Sequence, residues 1–156
     1  MAEVLLFDWG DTLMVDFPSA SGKMYLWEKV EAVEGAVPAL EKLAAEAEIY
    51  IATGAADSTP QEIELAFQRV ELDRYISGYF CQRNVGVEKG SAAFLPAILE
   101  VLGKPKESVA VVGDSWEKDV EPAVAIGLRA YWLHSGGLEH SHPLVRQIST
   151  LSELNT

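Results

Sequence analysis

The chain has 156 residues, 49% of them hydrophobic and 23% charged, which is enough to bury one substantial core and excludes disordered and fibrous classes. Acidic residues outnumber basic ones 24 to 12, and the formal charge of -12 excludes general nucleic-acid binding; an anionic small substrate would need a bound cation and a few local donors. The single cysteine, Cys81, excludes an intrachain disulfide and reads as a buried structural thiol. The N-terminus has no signal-peptide pattern and no apolar run reaches membrane-span length, so a cytoplasmic protein with no membrane partner is expected.

In chain order, short apolar runs alternate with helix-period segments, the pattern of a parallel sheet wrapped by helices. Predicted strands are Val4 to Phe7, Glu48 to Ala52, Gly78 to Cys81, Val109 to Val112 and Arg129 to Leu133. The segment from Met14 to Glu34 carries Phe17, Tyr25 and Trp27 among polar residues and reads as a flap followed by a short helix. A first helix holds Pro38 in its opening turn and runs to about Ala47, with Leu40, Leu43 and Ala44 on its buried face.

Thr59-Pro60-Gln61-Glu62 starts a second helix: Thr59 caps it, Pro60 suits the first helical position and Glu62 completes a capping box. A third opens near Ser91 and ends at Gly103; Pro96 inside it demands a kink or a later start. A fourth runs from about Glu117 to Ile126 and stops at Gly127. The tail begins with the loop His134-Ser135-Gly136-Gly137 and ends in one helical turn over 149–154. No repeat or linker divides the chain. The expectation is a single domain, 1–156, with three α/β/α layers, a Rossmann-like, mainly parallel five-stranded sheet, and 14–34 as a short flap or rudimentary cap.

In open parallel sheets, ligands gather beyond the carboxyl ends of the strands. The residues that follow the first, second and fourth predicted strands are Asp8, then Thr53-Gly54, then Gly113-Asp114-Ser115 with Asp119 further on, while Lys89 precedes the third helix. Carboxylates, a hydroxyl and an ammonium converging on one pocket would hold a magnesium ion and a phosphate together. His140-Ser141-His142 lacks further ligands nearby and reads as a loop, not a zinc site.

The set Phe7-Asp8-Trp9-Gly10-Asp11-Thr12-Leu13, Ala52-Thr53-Gly54, Lys89, and Val112-Gly113-Asp114-Ser115 through Asp119 resembles the four ordered motifs of the haloacid dehalogenase-like superfamily, over nearly the whole chain. The resemblance implies a phosphatase in which Asp8 attacks phosphorus and forms an aspartyl phosphate, Thr53 binds a phosphate oxygen, and Lys89 neutralises developing charge. It also implies Mg2+ held by Asp8, the Gly10 carbonyl and Asp114, with Asp119 in the metal set or orienting waters or Lys89. Trp9, Gly10, Gly54 and Arg83, with Lys23 in the flap, are candidate substrate contacts.

The chain departs from that family at three places. Gly90 replaces a common proline after Lys89. Gly10 stands where most phosphatases of the family carry a second, acid-base aspartate, a group worth about two to four orders of magnitude in rate. Asp11 is the expected replacement. The third departure is the cap, for which little room exists. An open pocket suits a phosphorylated small molecule or macromolecule, or a homo-oligomer in which a neighbour supplies the lid. Two alternatives stand beside the phosphatase: a catalytically weak relative that binds phosphate or a partner, and a hydrolytic dehalogenase.

Overall fold

The computed structural model describes residues 2–136 and 142–154. Its centre is one six-stranded, all-parallel sheet: β1 (Val4–Phe7), β2 (Glu48–Ala52), β3 (Gly78–Phe80), β4 (Val109–Gly113), β5 (Arg129–Leu133) and β6 (Val145–Ile148), in the spatial order β3-β2-β1-β4-β5-β6. The helices α1 (Ala36–Ala44), α2 (Pro60–Gln68), α3 (Gln82–Val85), α4 (Phe94–Leu102) and α5 (Glu121–Ala125) pack on its faces. Parallel strands need such crossovers, and covering both faces explains why β1 and β4 are buried at every position.

Alternate residues of β1 feed two cores. Leu5 and Phe7 join Leu40, Ile63 and Phe67 on one face, while Val4 and Leu6 join Phe94, Ile98 and Val120 on the other. This is a three-layer Rossmann-like α/β fold with one strand more than the five expected. The sixth strand escapes a search for apolar runs because Val145-Arg146-Gln147-Ile148 is an edge strand with only Ile148 buried.

Other expectations shift by a turn or less. Helix α2 begins at Pro60 with the full Thr59/Glu62 capping box. Helix α4 starts at Phe94, three residues after Ser91, which puts Pro96 in the first turn, where its missing N–H costs nothing. The helix expected from Glu117 opens instead as a π turn, Trp116–Val120, before α5. In the flap the structure has one 3-10 turn, Met24–Leu26, and an antiparallel bridge between Met14 and Ala32. The tail carries the expected turn as Leu151–Glu153. Among the described residues no helix is long and apolar enough to cross a membrane.

Candidate functional site

Register brings the site together. Phe7 pairs with Ile51 on one side and Val112 on the other, so Asp8, Thr53 and Asp114 leave the sheet beside one another at its carboxyl edge. The chain reverses direction of travel across the sheet between β1 and β4, and such a switch point opens a crevice. A cavity of about 480 Å³ lies there, lined by Asp8, Trp9, Gly10 and Asp11 from the first loop, Thr53 and Gly54 from the second, and Lys89, Asp114 and Asp119.

Lys89 is the hub. Its Nζ lies 2.8 Å from Asp8 Oδ1 and 2.5 Å from Asp119 Oδ1, and donates to the Ala52 carbonyl at 2.8 Å. Burial works against its charge, but the two carboxylates overcome it and hold the ammonium above its ordinary value. The lysine stem runs past Gly54, where an added Cβ would lie 3.7 Å from Lys89 Cβ.

Asp119 is placed by the π turn, whose wider coil carries it back under the end of β4. Its Oδ2 accepts from the Ser115 N–H at 3.0 Å, while its Oδ1 meets Lys89 as an ion pair. A Cβ on Gly113 would lie 2.3 Å from the Asp119 carboxyl carbon, so only glycine fits at the end of β4. The Gly113-Asp114 pair therefore has a steric cause: position 113 yields its side-chain space to the carboxylate of position 119.

Thr12 is a site residue that the sequence reading left inside a motif without a role. It is fully buried, and its hydroxyl reaches Asp8 Oδ2 at 3.3 Å and Asp114 Oδ1 at 3.2 Å. One proton spans two carboxylates. The Trp132 indole N–H, donating to the Asp114 carbonyl at 3.1 Å, fixes the backbone of the same loop. The signal available beforehand was the position of Thr12 four residues after Asp8.

Oxygens of Asp8, Asp114 and Asp119 all lie within 4.8 Å of one another. Asp114 is pushed up to about 7, first by burial, then by its contact with Asp8 and the charge of Asp119. Burial likewise raises Asp119, against the pull of Lys89. Three carboxylates facing one ammonium leave an excess negative charge in a partly dry site. That excess and the all-oxygen donor set fit a hard divalent cation. Both oxygens of Asp119 and both of Asp8 already meet protein groups, and all three carboxylates stand as candidate ligands.

The remaining candidates take different places. Asp11 adopts a left-handed backbone, φ 59°, and its Oδ1 accepts from the Asp16 N–H at 3.0 Å. Trp9 is buried, its indole against Met14 Sδ at 3.2 Å. Lys23 lines the cavity and forms a 2.7 Å ion pair with Glu62 of α2. Arg83 is exposed on α3 and does not line the cavity. Cys81 is buried, with Sγ 3.5 Å from the Ser58 carbonyl. His140 and Ser141 lie outside the described residues.

The fold is shared with known structures. An uncharacterized protein from Listeria monocytogenes serotype 4b superposes with a TM-score of 0.83 at 20% identity, over 97% of this chain and 93% of that one. The putative HAD-hydrolase YfnB from Bacillus subtilis, solved bound to magnesium, matches with a TM-score of 0.75 at 14% identity over 97% and 96% of the two chains. A HAD phosphatase from Thermococcus onnurineus matches with a TM-score of 0.65 at 25% identity, over 80% of this chain and 56% of that one. Similar structures also include a 2-haloacid dehalogenase from Pseudomonas syringae. A comparison with curated proteins found no match. The family model of haloacid dehalogenase-like hydrolases matches residues 6–127, a span that contains all four motifs and every carboxylate of the cluster, and the chain belongs to that family.

Proposed function

We propose that this hydrolase is a magnesium-dependent phosphatase that hydrolyses a phosphomonoester through an aspartyl phosphate on Asp8. The observation that carries the reading is the carboxylate cluster of Asp8, Asp114 and Asp119 with the Lys89 ammonium bonded into it. A dianionic ester needs that much positive charge, from lysine and metal together, before it can approach a carboxylate nucleophile. Magnesium, held by Asp8, Asp114 and the Gly10 carbonyl, would supply charge neutralisation at the phosphoryl group.

The side chains divide the remaining work. The hydrogen bond of Lys89 to the Ala52 carbonyl and its ion pair with Asp119 anchor it, and the N–H resting on Asp8 is free to pass to a phosphate oxygen as Asp8 attacks. The Thr53 hydroxyl oxygen accepts from the Ala55 N–H at 3.2 Å, which leaves its proton to donate to the phosphate. The Gly54 N–H lies in the same turn. Thr12 holds Asp8 and Asp114 at a fixed spacing before anything binds.

The substrate class follows from the walls. Gly22, Lys23, Met24 and Trp27 of the flap form one side of the cavity, so the group beyond the phosphate rests on a wall of apolar side chains and a lysine paired with Glu62. A small phosphorylated metabolite or a phosphorylated side chain of a macromolecule suits that wall, and a second copy of the chain is a candidate lid. Location in the cytoplasm is part of the same proposal.

Turnover of p-nitrophenyl phosphate with and without magnesium tests the reading. The expected result is metal-dependent release of phosphate that Asp8→Asn abolishes while the protein stays folded by circular dichroism. Metal-independent halide release from a haloacid would instead assign the dehalogenase chemistry of some relatives. Phosphate binding without turnover would assign a binder.

A further inference from the structure

The side chain missing at Gly10 leaves a gap in the proposed reaction, since no group at that position can protonate the leaving oxygen or activate water. Another carboxylate lies next to that position. A Cβ built on Gly10 would lie 3.4 Å from Asp16 Cβ and 3.5 Å from Asp16 Oδ2. The Asp16 carboxylate therefore borders, at van der Waals distance, the point where a side chain two residues after Asp8 would begin, and Asp16 lines the same cavity as Asp8, Thr53 and Lys89.

The loop is built to put it there. The Leu13 and Met14 N–H groups both donate to the Trp9 carbonyl at 3.1 Å, and the Asp11 N–H donates to the Met14 carbonyl at 2.6 Å, closing a tight turn. Left-handed Asp11 then spends Oδ1 on the Asp16 N–H, so its own carboxylate is tied to the backbone that presents Asp16. Val15 is fixed from the other side, its N–H donating to the Glu31 carbonyl at 2.8 Å. These bonds fix the backbone from Trp9 to Asp16, and none of them uses the Asp16 carboxylate at the cavity wall.

We propose that Asp16 is the acid-base residue of this chain, brought beside position 10 from six residues downstream, with Asp11 as its positioning residue. The inference rests on the phosphatase reading above. In the first step Asp8 forms its P–O bond, the ester P–O bond breaks, and the leaving oxygen takes the carboxyl proton of Asp16 and departs as an alcohol. In the second, water forms a bond to phosphorus, its proton goes to the Asp16 carboxylate, and the Asp8–phosphorus bond breaks. Inorganic phosphate leaves, and both aspartates return to their starting states.

Two esters of similar shape separate the steps. The leaving group of p-nitrophenyl phosphate departs without a proton, whereas that of phenyl phosphate is more basic and needs one. For Asp16→Asn the expected result with p-nitrophenyl phosphate and magnesium is a burst of about one p-nitrophenolate per site. A steady rate lower by about two to four orders of magnitude follows, because water is no longer activated. With phenyl phosphate the burst itself should slow by a similar factor. Magnesium affinity should be unchanged, and Asp16→Glu should recover part of the rate.

Three results would overturn the inference. The first is Asp16→Asn turnover within threefold of the parent on both esters. The second is an equal loss on both with no burst, which would make Asp16 structural. The third is a loss at Asp11→Asn, which keeps the acceptor for the Asp16 N–H, in place of a loss at Asp16→Asn. A parent protein inactive on both esters would defeat the phosphatase reading and this inference with it, and is thereby distinguished from an active parent indifferent to Asp16.

Discussion

Gly113 shows how much one missing methyl group decides at this site. The Asp119 carboxyl occupies the place of its Cβ and is held there by Ser115 and Lys89, so it cannot swing aside at low cost. Gly113→Ala should therefore lose about 1–3 kcal/mol of stability, the usual range for overpacking a buried position, as read from the denaturant midpoint. It should also lower turnover by displacing Lys89 from Asp8. Gly10 is less constrained: a Cβ there would meet the Asp16 side chain only at van der Waals distance. Asp8, Thr53, Lys89 and Asp114 were legible as residues because each follows or precedes a recognisable element. Asp16 was not, since its proximity to position 10 arises from a reversal of the loop that residue types alone do not specify.

At the scale of elements, α2 does two things with one residue. Glu62 closes the capping box with Thr59 and also receives Lys23 of the flap, and these contacts, Lys23 foremost, lower its carboxyl to about 2. The stabilisation from this group is present above its ordinary value near 4.5 and is lost as pH falls towards 2. Arg69, at the other end of α2, donates to the Tyr25 and Trp27 carbonyls and supplies a second tether. Lys23→Met should therefore speed amide exchange across the flap around residues 22–27 while leaving α2 protected, because the capping box survives; hydrogen exchange by mass spectrometry reads both. Faster exchange in α2 as well would show that the ion pair supports the helix itself. The capping box was readable from Thr59-Pro60-Gln61-Glu62 since its partners lie within one turn. The π turn at Trp116–Val120 was not, because the contact that favours it, the Asp119 carboxylate with Ser115 and Lys89, includes a partner from another element.

For the whole molecule, charge and metal act together. The formal charge of -12 disfavours any anion until the site is partly neutralised. Asp114, raised to about 7 by burial and its neighbours, links metal to proton. In the metal-free protein its contribution to stability is fully present below its ordinary value of 3.8 and is lost as pH rises through about 7. A cation competes for the same oxygens, so magnesium affinity should rise with pH across that window, and calorimetric titrations at several pH values measure it. At a hundredfold excess over its dissociation constant magnesium should add about 2.7 kcal/mol of stability, seen as a higher melting temperature that chelation reverses. A melting temperature insensitive to magnesium above pH 7 would contradict the assigned ligands.

The sequence alone determined the alternation of strands and helices, the family resemblance and the carboxyl-edge residues, because those properties reside in local apolar periods and in short motifs. Tertiary structure decided the rest: the sixth strand, whose half-polar edge has no apolar run to betray it; the Thr12 bridge between Asp8 and Asp114; and the placement of Asp16 against Gly10. Each depends on which atoms of separate segments come within a few ångströms, a consequence of strand register and loop closure that no local pattern carries.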